Sequence, residues 1–142
     1  MRHFKSLLSL FVIICFVFSA TAAFAVEAPA VSASANKKSY APGETGVLTI
    51  KFKTGAHVKI PKDPEVEVTL EGADGNGLQD YTGGGDDYIA GSKVKYNFTV
   101  PSGAVSGSTI TVKGKVKFGY CNSDDGVCKL ATKNFTAKIK VK

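Results

Sequence analysis

From Val31 onward, apolar and polar residues alternate with a period of two, and no stretch sustains apolar residues at helical spacing. Successive side chains on a strand point to opposite faces of a sheet, so this pattern predicts half-buried strands and leaves no amphipathic helix. The expected fold class is therefore all-β. Val47 to Lys53 illustrates it: Leu48, Ile50 and Phe52 are expected to face the core, and Val47, Thr49, Lys51 and Lys53 the opposite side.

The same reading divides the rest of the chain. Val31 to Ala35 predicts a weak first strand, and Pro42-Gly43 a turn. His57 to Ile60 forms a short extended piece, followed by a corner bracketed by Pro61 and Pro64, which cannot donate ladder hydrogen bonds. Val66, Val68 and Leu70 face inward on the next strand. Glu71 to Gly77 reads as a turn or loop, Leu78 to Thr82 as a segment too brief for a core strand, and Gly83-Gly84-Gly85-Asp86-Asp87 as a second loop. Val94, Tyr96, Phe98 and Val100 make a strong strand ended by Pro101. Ile110, Val112, Val116, Phe118 and Tyr120 line the inner face of the next, and Phe135, Ala137, Ile139 and Val141 that of the last. About seven strands joined by turn-rich loops predict an immunoglobulin-like β-sandwich. The antibody-type inter-sheet disulfide is excluded, because there is no tryptophan and no cysteine early in the strand region; Cys121 and Cys128 instead flank the last hairpin.

The N-terminus reads as a secretory leader. Arg2 and Lys5 precede an almost unbroken apolar run from Leu7 to Phe18, and Ala23-Phe24-Ala25 supplies small residues at the positions a signal peptidase requires. The run is shorter than the roughly 20 residues of a membrane span. Cys15 follows Ile14 rather than a small residue, which argues against lipidation. Cleavage would leave residues 26–142 as one domain of 117 residues, and the loss of Arg2 and Lys5 with no acid lowers the formal charge from +6 to +4. A chain of that size holds a core of its own. The mature protein is expected to be soluble, monomeric and exported to the periplasm or beyond, where disulfides persist.

Every cation after the leader is a lysine. Phosphate and base recognition usually exploits the planar arginine fork, so a dedicated nucleic-acid binder is not expected. The lysines alternate with apolar residues, as in Lys113 to Phe118 and Lys138 to Lys142, which is how a solvated sheet face reads.

Chemistry is concentrated in the thiols. With the leader removed, Cys121 and Cys128 are each other's only intramolecular partner. Alternation along 110–120 places Cys121 on the outward face with Lys113, Lys115 and Lys117, where solvent is expected to reach it. Those ammonium groups and Lys129 favour a thiolate, while Asp124 and Asp125 oppose it. The residues alone leave two roles open, a redox pair or a staple that closes a short loop.

No metal site or cofactor is expected. His57 is the only histidine after the leader and the single methionine is Met1. His57 is expected at a strand end, partly buried. Asp74-Gly75-Asn76-Gly77 begins like a calcium loop, but Gly85 stands where the twelfth-position glutamate is required. Asn97-Phe98-Thr99 and Asn134-Phe135-Thr136 match the glycosylation sequon inside expected strands. A serine–histidine–acid set has no support, and no small-molecule substrate is expected.

Pro42-Gly43 followed by Leu48-Thr49-Ile50-Lys51-Phe52, then Gly55-Ala56-His57-Val58, and Phe118-Gly119-Tyr120-Cys121 leading to Cys128 before the last strand form an ordered set. In this the chain resembles, from Val31 to Val141, the N-terminal periplasmic domain of the DsbD-type thiol:disulfide interchange protein. The resemblance implies an immunoglobulin-like domain with a reversible Cys121–Cys128 disulfide. It implies partners that are thiol redox proteins, either membrane-embedded or of thioredoxin fold. Carried over by position, Cys128 forms the mixed disulfide with partners and Cys121 resolves it. A cap loop shields the pair in that family, and its place falls at Asp80-Tyr81-Thr82-Gly83, making Tyr81 the candidate cap. The segment between the cysteines is slightly longer here, and Lys129-Leu130-Ala131-Thr132 replaces the family's proline-rich continuation. Its electron donor is expected to be a separate protein. The rival expectation is a non-catalytic binding or adaptor domain in which the disulfide is structural.

Overall fold

The computed structural model describes residues 26–79, 81 and 87–142. The expected leader with Cys15 lies outside the described residues, as do Asp80 and Thr82 to Asp86 of the expected cap and glycine loops.

The chain folds as an immunoglobulin-like β-sandwich. One sheet has the order β1 (Ala30–Ala35), β3 (Thr45–Lys53), β7 (Lys93–Thr99), β6 (Asp74–Leu78). The other runs β2 (Ser39–Tyr40), β9 (Cys128–Val141), β8 (Thr109–Asn122), β4 (Val58–Lys59), with β5 (Glu67–Glu71) also paired to β8. Among the described residues all strand pairs are antiparallel except β2 with β9.

The alternating residues pack between the sheets as expected. Leu48, Ile50 and Phe52 of β3 and Val94, Tyr96 and Phe98 of β7 meet Val112, Val116, Phe118 and Tyr120 of β8 and Phe135, Ala137, Ile139 and Val141 of β9, all buried. The Phe52 and Phe118 rings join the two layers, their centroids 4.6 Å apart. Burial of this apolar surface is the main favourable contribution to the fold. Val66 is fully enclosed, whereas Val68 and Leu70 are half-buried at the sheet edge.

Among the described residues there are nine strands, two more than the expected seven. The first is β2, which alternation cannot detect because it is two residues long. It is fixed by Tyr40, whose buried ring meets Phe98 edge-on and whose hydroxyl donates to Asn36 Oδ1 at 2.6 Å. Gly46 lies beneath that pair, and a Cβ there would collide with both rings. The second is β6, in the stretch read as a loop. Its glycines are what let it pair: a Cβ on Gly75 would strike the Tyr96 hydroxyl, and a bulge between Gly75 and Gly77 adjusts the register. Asn76 donates to Thr99 Oγ1, and Gln79 just beyond the strand donates to Asn97 Oδ1. Polar side chains thus secure an edge strand with no apolar alternation.

Candidate functional site at the β8–β9 hairpin tip

The two longest strands, β8 and β9, form one hairpin in continuous register from Thr109↔Lys140 to Cys121↔Cys128. The cysteines are the last opposed pair before the loop, and they are joined by a disulfide with Cα atoms 4.0 Å apart. Asn122 N–H donates to Val127 O, so residues 122 and 127 form a hydrogen-bonded pair. The neighbouring pair, Cys121 and Cys128, is therefore a non-hydrogen-bonded one, the position in which facing side chains lie closest.

The cysteines differ sharply in cover. Cys128 is exposed, but Cys121 is only 4% exposed, which corrects the expectation that solvent reaches its thiol. Its face was read correctly, since it sits on the outer side of the sheet with Lys113, Lys115 and Lys117. The correction arises from a distant segment. Between β4 and β5 the chain leaves the edge of β8, where two prolines would offer no N–H to the ladder, and folds over the outer face. Pro61 and Pro64 settle on Gly119: a Cβ there would stand 3.1 Å from Pro61 Cγ and 3.4 Å from Pro64 Cδ. Ile60 and Val66 anchor the two ends of this corner in the core.

A second segment completes the cover. Tyr88 bridges Pro61, Ile89 N–H donates to Ile60 O, and Lys62 N–H donates to Asp87 O, which fixes residues 87–89 alongside the corner. An open cleft of about 410 Å³ results. Pro61, Asp63, Pro64, Asp87 and Tyr88 form one side; Gly119, both cysteines, Lys129 and Leu130 form the other. Leu130 is 63% exposed, an apolar side chain left beside the bridge.

Tyr81, the candidate cap, lies beside Val66 at the end of this corner. It is half-buried against the core, and burial raises its phenol above the ordinary value, opposed by a hydrogen bond with the Val66 backbone. The aromatic side chain in the cleft beside the cysteines is Tyr88, which the sequence reading did not single out. Nor did it single out Lys59, which pairs directly across from Cys121 on β4 and whose Nζ lies 5.0 Å from the Tyr88 ring centroid. The signal for Lys59 lay in the alternation of His57 to Ile60, which puts one outward residue on a strand that borders β8.

His57 also differs from its expectation: it is exposed at the tip rather than partly buried. Its Nδ1 lies 2.9 Å from Asp124 Oδ1, and its carbonyl accepts from Ser123 N–H and Ser123 Oγ. The loop between the cysteines is further shaped by Asn122 and Asp125, whose side-chain oxygens accept from the backbone amides two residues on. Among the lysines on the outer face, Lys117 pairs with Glu67 at 2.9 Å. The arrangement leaves one cysteine exposed and the other buried, with an apolar surface alongside.

This chain matches no protein-family model and no curated protein sequence. Among solved structures it is similar to the sixth cohesin of scaffoldin B from Acetivibrio cellulolyticus, solved in complex with a mutant Cel5 dockerin. The two share 14% sequence identity over 80% of this chain and 99% of the cohesin chain, with a TM-score of 0.40.

Proposed function

We propose that this chain is an exported thiol:disulfide exchange protein acting through Cys121 and Cys128, of the kind formed by the N-terminal periplasmic domain of DsbD-type interchange proteins. The observation that carries this reading is the asymmetry of the bridge, with Cys128 exposed and Cys121 buried beside an apolar cleft. Exchange proceeds by attack of a thiolate on one disulfide sulfur, and access decides which. A partner thiolate attacks Cys128 Sγ, the Cys121–Cys128 bond breaks, and its electron pair leaves on Cys121 as a thiolate. A second partner thiol then attacks the partner's own sulfur in the mixed disulfide and releases reduced Cys128, so the partner is oxidised and this chain gains two electrons. In the opposite direction Cys128 attacks a partner disulfide and Cys121 resolves the intermediate. Partners are thiol redox proteins, of thioredoxin fold or membrane-embedded, that present a small apolar surface around their own cysteine to Leu130 and the cleft.

The position of the bridge at a hairpin tip favours a second reading, a staple in a binding or adaptor domain. Closing a loop of about eight residues stabilises a fold by roughly 2–3 kcal/mol on the chain-entropy model. Equilibration of the purified exported protein against defined thiol buffers separates the two. A reduction potential of about −180 to −270 mV, with a Cys121→Ser variant that accumulates mixed disulfides through Cys128, supports exchange. A potential below about −300 mV marks the bridge as structural and ends the exchange reading.

A further inference from the structure

We propose that Lys59 stabilises the departing Cys121 thiolate, and so tunes how readily the bridge opens; the inference rests on the exchange reading above. Lys59 and Cys121 are opposed residues of an antiparallel pair. The hydrogen bond from Ser123 N–H to His57 O makes 57 and 123 a bonded pair, so alternation makes 59 and 121 the next one. Opposed residues share a face, and Cys121 faces outward, so the first carbons of the two side chains stand about 5 Å apart. Cys121 thus has the Cys128 sulfur on one flank and the base of the Lys59 side chain on the other.

Tyr88 keeps that side chain at the site. The Lys59 ammonium rests over its ring at 5.0 Å from the centroid, and Tyr88 lines the cleft beside the disulfide. Lys59 is exposed, and cation–π attraction biases its charge toward the cleft wall that Tyr88 forms.

The chemistry requires a charge there and not elsewhere. When an incoming thiolate bonds to Cys128 Sγ, the negative charge it carried moves through the breaking bond to Cys121 Sγ. That sulfur is covered by protein, so water stabilises the new thiolate poorly. A lower leaving-group pKa makes departure faster. Other charged groups also act on the pair: Asp63 and Asp87 at the cleft and Asp124 and Asp125 in the hairpin loop oppose the thiolate. Lys129 and Lys117 favour it, the latter engaged with Glu67, while His57 is engaged with Asp124. Among them Lys59 is the cation in direct register with the leaving sulfur.

The test compares Lys59 with Lys59→Gln and Lys59→Arg in a Cys128→Ser background, following Cys121 ionisation by thiolate absorbance against pH. Loss of one positive charge on the face that Cys121 shares should raise the Cys121 pKa by about half to one, and arginine should restore it. In the otherwise unaltered protein, Lys59→Gln should slow reduction of the bridge by glutathione about two- to threefold. An unchanged Cys121 titration in Lys59→Gln overturns the proposal, as does a shift that arginine fails to reverse. The reduction potential of the unsubstituted protein judges the exchange reading separately: a potential in the exchange range with an unmoved titration removes Lys59 alone, whereas a structural potential removes both.

Discussion

Cys121 and Cys128 face each other across one ladder position, yet only Cys128 is exposed. Alternation made the face of Cys121 legible in the sequence. It said nothing of cover, because Pro61, Pro64 and Tyr88 reach the outer side of β8 from chain segments more than thirty positions away. The same limit hid Lys59 and Tyr88, whose meaning depends on which strand borders which. The shield itself is testable. Tyr88→Ala should speed alkylation of the reduced pair several-fold by opening one wall of the cleft. Tyr81→Ala should lower stability by about 1–2 kcal/mol, since a half-buried ring is lost from the core. Iodoacetamide kinetics and urea unfolding read the two effects, and acceleration by Tyr81→Ala as well would give Tyr81 the cap role expected of it.

At the scale of elements, the strong strands were legible wherever apolar residues alternate, as in β3, β7 and β8. The polar edge strand β6 was not, since glycine clearance over Tyr96 and side-chain hydrogen bonds leave no periodic trace. Glycine also matters within β8. Gly114 pairs with Phe135, whose ring occupies the place a Cβ would take. Gly114→Ala should therefore cost about 1–3 kcal/mol through overpacking, measurable as a lower urea midpoint at unchanged slope. The turn between β2 and β3 has a different sensitivity. Glu44 accepts from Lys37 Nζ at 2.6 Å and from Ala41 N–H at 2.7 Å, which lowers its carboxyl below the ordinary 4.5. Protonation removes these contacts, so their stabilisation is present above the unfolded pKa and is lost as pH falls through the depressed folded value. Lys37 is raised by the same partner, so its share is present below 10.5 and is lost as pH rises through the higher folded value. Thermal unfolding of Glu44→Gln should show a weaker dependence on acid pH than the parent protein.

For the whole molecule, the core is complete without the bridge: its aromatic and aliphatic residues come from both sheets, and the cysteines lie at one end on the outer face. A Cys121→Ser, Cys128→Ser double variant should therefore stay folded, with stability reduced by roughly 2–3 kcal/mol in denaturant unfolding. Loss of the fold would mean that the bridge holds the domain together, which is incompatible with a carrier that visits its reduced form.

The hairpin register has a further consequence for biogenesis. Cys121 and Cys128 are seven positions apart and meet at the first ladder pair beyond a loop organised by its own Asn122 and Asp125 contacts. Their encounter is decided by a handful of neighbouring residues and waits for neither sheet. A synthetic peptide covering 117–132 should already favour the intramolecular bond over dimers in dilute oxidising buffer. The bond therefore needs no long-range contact of the sandwich in order to form.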